Sequence, residues 1–400
     1  MKPLETLEYI ILAALVSVVP WSWELATKLF AVLFVTAVAR AIATRHLGNP
    51  ALSAPMRWAL VLMVGYYLWN GVSLLWTDDL PSGLDFMETR LPLLLLPLML
   101  LGTDTSYLSL RRRRGLLYLF CVSMVLKFLF LIIKCISTRT SFGSLPLVDN
   151  VHYTYTSLYL LMALGFLFIE WTRRRHDMPR MLKNSIPFAA VALVLYTLLS
   201  TSRTGIIGLI VFLVYIVIRL VVSRRNFRLA LLILLGGLAL GIGIHYALPE
   251  NARRVTMTLQ NLKSSGDGDA RVDIYRCSLR AGIDNMPLGT GVGDGQQVLN
   301  RYYTQAGHDW DNFNSHNIYL DALLTLGIPG LLLLLAMLVL PVVDASRSKN
   351  PELLMLLICF LFVGLFESVI SRQMGLMFIA PMLYITASTP SKNGERRCEM

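Results

Sequence analysis

A histidine and a few arginines are the residues whose types suit chemistry in this chain. His316 lies in Asn314-Ser315-His316-Asn317-Ile318, where a polar stretch runs into a long apolar segment. A histidine at such a boundary can take up a proton near neutral pH. A proton acceptor near fixed guanidinium groups suits a reaction in which a hydroxyl attacks and an anion leaves, because the histidine takes the proton and the arginines bind the anion.

Three arginines are candidates for that anion site. Arg203 lies in the short turn Ser200-Thr201-Ser202-Arg203-Thr204, whose hydroxyls restrict it; this favours bidentate phosphate binding, and the alternative is an arginine that extends to the membrane interface. Arg271 opens a predicted helix from Ala270 to Asn285, and the N-terminus of a helix also attracts anions. Arg90 begins another apolar segment, either as an interfacial anchor or as an anion ligand at the mouth of a cavity.

Four further residues are grouped with the site as supporting residues. His152 stands at a helix start and has either a site role or an ordinary hydrogen-bonding role. Glu367 lies near the end of an apolar run and is costly there unless paired, so we predict that it contacts an arginine or orients a ring nitrogen. Asn317 follows His316. Arg276 forms a basic stripe with Arg280, which we interpret as facing solvent or anionic lipid headgroups.

Membrane-spanning helices must position these residues. The chain is 55% hydrophobic and only 15% charged, whereas soluble domains are about 25% charged. Apolar runs of roughly 17 to 23 residues can each cross a hydrocarbon layer of ~30 Å as a helix. They predict an all-α polytopic membrane protein with about twelve spans, near residues 5–20, 24–44, 57–76, 90–104, 115–136, 153–171, 184–200, 204–222, 227–247, 317–342, 352–370 and 374–388.

The positions of the basic residues predict the orientation. Most Lys and Arg residues fall in alternate loops, and the positive-inside rule places those loops and both termini in the cytoplasm. The net charge of +11 is explained in this way and does not indicate a nucleic-acid partner. The predicted organisation is nine spans within 1–247, an outer helical loop 248–316, three spans within 317–388 and a cytoplasmic tail 389–400.

The glycines and acidic pairs of the outer loop do not predict a nucleotide or metal site. Asn285 to Gly295 is rich in glycine but follows no strand, so we interpret it as a flexible turn. Asp267-Gly268-Asp269 has the letters of a metal motif but lies in a turn between amphipathic helices. The five cysteines have no paired spacing, which argues against a disulfide framework and a Cys-based metal site. We predict no metal and no cofactor.

Five short motifs follow one another in the second half of the chain. They are Thr201-Ser202-Arg203, Arg271 four residues before Tyr275, Asn285-Met286-Pro287-Leu288-Gly289-Thr290-Gly291, Ser315-His316-Asn317-Ile318-Tyr319-Leu320 and Glu367. In this order they resemble the O-antigen ligase and polymerase superfamily, and the ligases most of all. The resemblance covers about residues 200–325 plus Glu367, and before residue 200 it is one of architecture. The chain departs from the family at Tyr275, where the family's aromatic residue is often Trp.

This resemblance implies a GT-C-like glycosyltransferase of the Gram-negative inner membrane with a periplasmic active site. It would move a glycan from undecaprenyl pyrophosphate to lipid A-core, with inversion and without a metal. Arg203, Arg271 and His316 match the functional arginines and histidine of the family. On the residues alone, His316 is the candidate base, and the arginines can replace a divalent cation at the leaving group.

Other activities stay open at this point. An O-antigen polymerase and a protein O-oligosaccharyltransferase would use the same donor and differ only in the acceptor, so the motifs do not separate them from a ligase. A lipid-glycan flippase or other transporter is the more distant alternative. Transporters often have inverted repeats and interrupted spans near the midplane, and the sequence shows neither clearly.

Overall fold

The computed structural model describes residues 2–45, 47–140, 149–200, 202–222, 236 and 270–387. Throughout those segments the regular elements are helices, with no strand. The helices are α1 (Lys2–Val18), α2 (Trp23–Thr44), α3 (Ala54–Ser73), α4 (Leu80–Thr89), α5 (Pro92–Gly102), α6 (Leu110–Ser137), α7 (Tyr153–Arg174), α8 (Arg180–Leu199), α9 (Arg203–Val222), α10 (Ala270–Asp284), α11 (Gly295–Gln305), α12 (Ile318–Arg347), α13 (Pro351–Gly364) and α14 (Gln373–Thr386). Two 3-10 turns, Leu74–Trp76 and Val369–Ser371, complete the set.

The all-helical class is confirmed, and the chain is a helical membrane protein. Among the described helices, six have the length and apolar composition to cross a membrane, namely α2, α3 with its 3-10 turn, α6, α7, α8 and α12. Three shorter helices, the first part of α9 with α13 and α14, are apolar as well. Helix α5 has 11 residues, which is about 16 Å and too short to cross alone.

The number of twelve spans, the GT-C-like architecture and the four-part organisation stay predictions. The predicted ninth span at 227–247, the pair Asp267-Gly268-Asp269 and the tail 389–400 lie outside the described residues. The described residues fall into two compact units, one within Met1–Ser123 and Arg271–Met400 and the other within Met124–Ala270.

In the unit formed by residues 1–123 and 271–400, α12 is the central element. It packs along α3 on one side and against α13 on another. Asn317 caps its start, because the Asn317 side chain accepts hydrogen bonds from the N–H groups of Tyr319 and Leu320. The helix is broken at Gly327, whose φ of 64° and ψ of −159° are not helical. Only glycine adopts this backbone conformation readily.

In the unit formed by residues 124–270, α7 is almost entirely buried and packs against α8 and α9. Helices α7 and α9 approach closely at Gly205, where a Cβ atom would lie 2.6 Å from Ser157 Oγ. A buried ion pair joins α6 to the chain before α7, with Lys127 Nζ 2.6 Å from Asp149 Oδ1. The Tyr196 hydroxyl donates to the other oxygen of Asp149 over 3.0 Å.

Candidate active site

The structure brings His316 and Glu367 together at the start of α12. His316 Nδ1 lies 3.3 Å from Glu367 Oε2. The Glu367 side chain is buried, whereas 24% of the His316 side chain is exposed. A buried carboxylate at Nδ1 favours the tautomer with a proton on Nδ1, which leaves Nε2 as a proton acceptor. The pair has the arrangement of a general base with a carboxylate that orients it.

Hydrogen bonds hold both members of this pair in place. The second oxygen of Glu367 accepts from the N–H of Ser368 over 3.2 Å, and the hydroxyls of Ser368 and Ser315 lie 3.1 Å apart. Asn317 Nδ2 donates to the carbonyl of Leu365 over 3.2 Å, in addition to capping α12. Asn317 therefore connects the start of α12 to the end of α13, next to the His316–Glu367 pair.

Tyr275 connects α10 to the same place. Its hydroxyl donates to the carbonyl of Leu365 over 2.7 Å and lies 3.3 Å from the carbonyl of His316. The helix predicted over Ala270 to Asn285 is confirmed as α10. Arg271 is one turn before Tyr275 on the same helix face. Helix α10 thus places Arg271 in the first turn of a helix that contacts the His316 segment.

Arg276 lies elsewhere on α10. Five residues after Arg271, it points to a different side of the helix, and its side chain is 77% exposed with Nη1 3.4 Å from Asp273. A pair so exposed contributes little to stability. The predicted supporting role of Arg276 in the site stays a prediction.

Arg90 occupies a buried network rather than an interface. It follows α4 and is 1% exposed, so the interpretation of Arg90 as an interfacial anchor is wrong. Its guanidinium lies 3.1 Å from Asp321 Oδ2, donates to Ser371 Oγ over 2.8 Å and also donates to Asn70 Oδ1. Ser371 Oγ donates to the same oxygen of Asp321 over 2.7 Å. We call Arg90, Asp321, Ser371 and Asn70 the arginine network.

Short stretches of chain connect the arginine network to the His316–Glu367 pair. Asp321 is one turn after Asn317 on α12, and Ser371 is four residues after Glu367. The spacing of five residues between His316 and Asp321 predicts no His-Asp dyad, and in the structure the carboxylate of Asp321 pairs with Arg90. The network therefore ties α12 to the turn after Glu367.

Arg203 and His152 belong to the unit formed by residues 124–270. Arg203 is the first residue of α9 and is exposed, while Ser200, Ser202 and Thr204 beside it are buried. Ser202 Oγ accepts from the N–H of Gly205 over 3.2 Å and fixes the turn. His152 is exposed just before α7, and its ring centroid lies 4.1 Å from that of Tyr153. A joint role with His316 stays a prediction for both.

The interpretation of Asn285 to Gly295 as a flexible turn is wrong. This glycine segment inserts into the break of α12. The N–H of Thr290 donates to the carbonyl of Leu324 over 2.9 Å, and the N–H of Gly291 donates to the carbonyl of Thr325 over 3.0 Å. The N–H of Ile328 in turn donates to the carbonyl of Pro287 over 2.9 Å. The glycine segment supplies partners for backbone groups that the break removes from the helix.

Close backbone approach explains the glycines of this segment. A Cβ atom on Gly289 would lie 2.6 Å from the Gly327 nitrogen, and one on Gly327 would lie 2.1 Å from the Pro287 oxygen. Near the end of the segment, the two carboxylate oxygens of Asp294 accept from the backbone N–H groups of Asp78 and Asp79, each over 2.8 Å. These contacts between distant parts of the chain fix the glycine segment firmly.

Two helix features are not among the predictions made from the sequence. One is the interruption of α12, for which Gly327-Ile328-Pro329 inside an apolar run is a signal. Helix α4 lies in a stretch interpreted as a loop, although Asp79 before Leu80-Pro81 is a helix-start signal. Asp79 caps α4, and the N–H and hydroxyl of Ser82 donate to its carboxylate and lower its pKa.

The described residues offer the chemistry of a base and guanidinium groups. Within those segments, no three His, Cys, Asp or Glu side chains cluster in a way that could hold a metal ion. The cysteines described, Cys121, Cys135, Cys277 and Cys359, are all buried, and none of the four is in a disulfide.

The fold and the site define a polytopic helical membrane protein with a carboxylate-oriented histidine at the start of a broken helix. Residues 188–335 match the family model described as O-antigen ligase. The match supports the assignment of the chain to the O-antigen ligase and polymerase superfamily, whose members are glycosyltransferase-type enzymes acting on lipid-linked glycans in membranes. It includes Arg203, Arg271 and His316. A comparison with curated proteins gave no match.

Proposed function

We propose that this chain is an O-antigen ligase that moves a glycan from undecaprenyl pyrophosphate to lipid A-core. The reaction takes place on the periplasmic face of the Gram-negative inner membrane. The observation that carries the proposal is the contact between His316 Nδ1 and the buried carboxylate of Glu367, 3.3 Å apart, inside a chain whose residues 188–335 match the family model.

His316 is the general base of the proposed reaction. An acceptor hydroxyl donates its proton to Nε2 while its oxygen attacks C1 of the donor sugar. The bond between C1 and the pyrophosphate oxygen breaks on the opposite side, its electron pair leaves with the pyrophosphate, and the anomeric centre inverts. Glu367 holds the ring by accepting a hydrogen bond from the Nδ1–H group and stabilises the imidazolium that forms when Nε2 takes the acceptor's proton.

Arg203 and Arg271 bind the departing pyrophosphate. Each stands in the first turn of its helix, α9 and α10, where backbone N–H groups and the helix dipole also favour an anion. Two guanidinium groups can offset the charge that develops on the leaving group, so the reaction proceeds without a divalent cation. Asn317 positions the base, while His152 and Arg276 support substrate binding.

We assign Arg90 a positioning role instead of the predicted pyrophosphate-binding one. Its guanidinium already has the carboxylate of Asp321 as partner and is 1% exposed. Because that guanidinium is buried and already paired with a carboxylate, a second anion would have to lose its own hydration to reach it, which is costly. The arginine network instead supports the turn that carries Glu367.

The break in α12 weakens one argument against a transporter, because discontinuous helices occur in transporters. In this chain, however, three carbonyls at the break already have donors. The glycine segment supplies two of them, and Trp69 Nε1 donates to the third, that of Leu326, over 3.0 Å. This favours a structural break over a cation or substrate site there.

The direct test is transfer by the purified full-length protein in detergent. Undecaprenyl-pyrophosphate glycan and lipid A-core are supplied with EDTA present, and the joined product is measured by mass spectrometry. We expect product from the parent and from His176→Ala, which removes an exposed histidine elsewhere, and none from His316→Ala. Transfer only to a second lipid-linked glycan would make the chain a polymerase, transfer only to protein an oligosaccharyltransferase, and absence of any product would refute the proposal.

A further inference from the structure

A row of aromatic rings leads to His316 along the segment after α11. The ring centroids of Tyr303 and Trp310 are 5.5 Å apart, those of Trp310 and Phe313 6.1 Å, and those of Phe313 and His316 6.4 Å. We call Tyr303, Trp310 and Phe313 the aromatic row. None of these aromatic residues has a part in the proton transfer or the anion binding described above.

The inner end of the aromatic row is firmly packed. Tyr303 is fully buried in an apolar cluster with Ile274, Cys277 and Leu299, and Trp310 packs against that cluster. The ring of His308 stacks on Trp310 with centroids 3.9 Å apart and planes inclined by 7°. The N–H of His308 donates to the carbonyl of Tyr303 over 2.9 Å. Trp310 is thus held in one orientation.

The outer end presents an apolar ring at the protein surface on a fixed backbone. The carbonyl of Phe313 accepts from Gln296 Nε2 over 2.9 Å, and the N–H of His316 donates to Asn314 Oδ1 over 2.9 Å. Even so, 47% of Phe313 is exposed. Phe313 also continues into the half-buried ring of Trp310 on one side and the ring of His316 on the other, and a contiguous apolar patch of this kind indicates a contact surface.

The position of this surface identifies what it would contact. The inference rests on the proposed function, in which an acceptor hydroxyl must contact His316. A sugar ring that does so extends from His316 to the neighbouring ring of Phe313. The C–H faces of sugars pack on aromatic rings, and the exposed polar groups of Asp309, Asp311 and Asn312 can bond sugar hydroxyls.

We propose that Trp310 and Phe313 form the acceptor subsite and bind the terminal neutral sugars of the acceptor glycan. The exposed carboxylates of Asp309 and Asp311, which flank Trp310 in the sequence, repel phosphorylated sugars, so the subsite selects uncharged sugars over phosphorylated ones. The same carboxylates disfavour insertion of Phe313 among anionic lipid headgroups.

Binding is tested apart from turnover. Full-length protein carrying His316→Ala is mixed with dephosphorylated, lipid-free core oligosaccharide, and saturation-transfer NMR identifies the sugars in contact. We expect the terminal hexose to give the strongest signal and Phe313→Ala to weaken binding about 3- to 10-fold. Phe313→Trp retains binding. The matched control is Phe188→Ala on α8, which removes a phenylalanine that is 77% exposed.

Kinetics in the active background separate the acceptor from the donor. Phe313→Ala should raise KM for the acceptor by a similar factor and leave KM for the donor and kcat near the parent values. Unchanged oligosaccharide binding in Phe313→Ala would overturn the subsite while leaving the transfer reaction intact, and a rise only in the donor KM would assign the surface to the donor glycan. Oligosaccharide binding at Phe313 without transfer by the parent would instead refute the proposed function.

Discussion

Removing one partner of the pair formed by Arg90 and Asp321 should destabilise the protein strongly. Arg90→Met leaves the carboxylate of Asp321 with Ser371 alone, and Asp321→Leu leaves a guanidinium that is 1% exposed without its counter-charge. Breaking a buried pair in this way costs about 3–5 kcal/mol. Because the Asp321 side chain is 14% exposed, Arg90→Met should lie at the lower end of that range and Asp321→Leu at the upper end.

The double variant separates the interaction between Arg90 and Asp321 from their interactions with neighbouring residues. Arg90→Met with Asp321→Leu leaves no unpaired charge but removes the donor to Asn70, which is fully buried. An unsatisfied buried acceptor costs about 1–3 kcal/mol. We therefore expect the double variant to be destabilised less than Asp321→Leu alone, which is a strong coupling between the two sites.

Thermal unfolding in detergent measures these effects. Cys121, Cys135, Cys277 and Cys359 are buried, so a thiol-reactive fluorescent dye reports unfolding in a Cys398→Ser background. At about 2 °C per kcal/mol, the single variants should lose about 6–10 °C in Tm. The control is Arg276→Met. The Arg276 side chain is 77% exposed, so its pair with Asp273 contributes little and the Tm should match that of the parent.

One outcome would refute this reasoning directly. If Arg90→Met melted with the parent but raised KM for the undecaprenyl-pyrophosphate donor, Arg90 would be an anion ligand and not a positioning residue. Additive effects of Arg90→Met and Asp321→Leu would equally show that the two side chains act independently.

Three further predictions concern the site and the helix break. Glu367→Gln keeps the size of the side chain but loses the negative charge at His316 Nδ1, so kcat should fall about 10- to 100-fold; an unchanged kcat would remove Glu367 from the mechanism. Arg203→Lys retains the charge but loses the paired N–H groups with which a guanidinium binds phosphate, so KM for the donor should rise while Tm stays constant. Full activity of this variant would argue against bidentate binding. Gly327→Ala places a Cβ atom 2.1 Å from the Pro287 oxygen at a φ of 64°, so the free energy of unfolding should fall by more than about 2 kcal/mol. The control is Gly102→Ala, where nothing lies within 4 Å of the added Cβ. Equal Tm values for the two variants would contradict the packing described.

Local patterns in the sequence were sufficient for several parts of the site. The helix predicted over Ala270 to Asn285 is present as α10, and the change from polar to apolar residues placed His316 at the start of α12. The carboxylate of Glu367 at the end of a run required a partner, and one of the two predicted kinds, a ring nitrogen, lies beside it. Each of these inferences uses residues within one or two turns, or the cost of burying a single charge.

Contacts between distant residues were not predictable in this way. Arg90 and Asp321 are 231 positions apart, and the sequence alone gives no reason to pair them. The glycines from Gly289 to Gly295 indicated flexibility, because glycine without a known partner has many conformations. Their actual partner is the break at Gly327, which removes that freedom through hydrogen bonds and close backbone contact.

The insertion of the glycine segment into α12 has a consequence for the exchange of parts between related proteins. Residues 285–295 and 318–328 complete each other's hydrogen bonds, so neither can be inherited or transplanted alone. A chimaera that takes residues 285–295 from one relative and α12 from another would combine a glycine segment and a helix break that come from different proteins. Boundaries for recombination should therefore be placed before α10 and after the break, so that the glycine segment and the broken part of α12 come from the same protein.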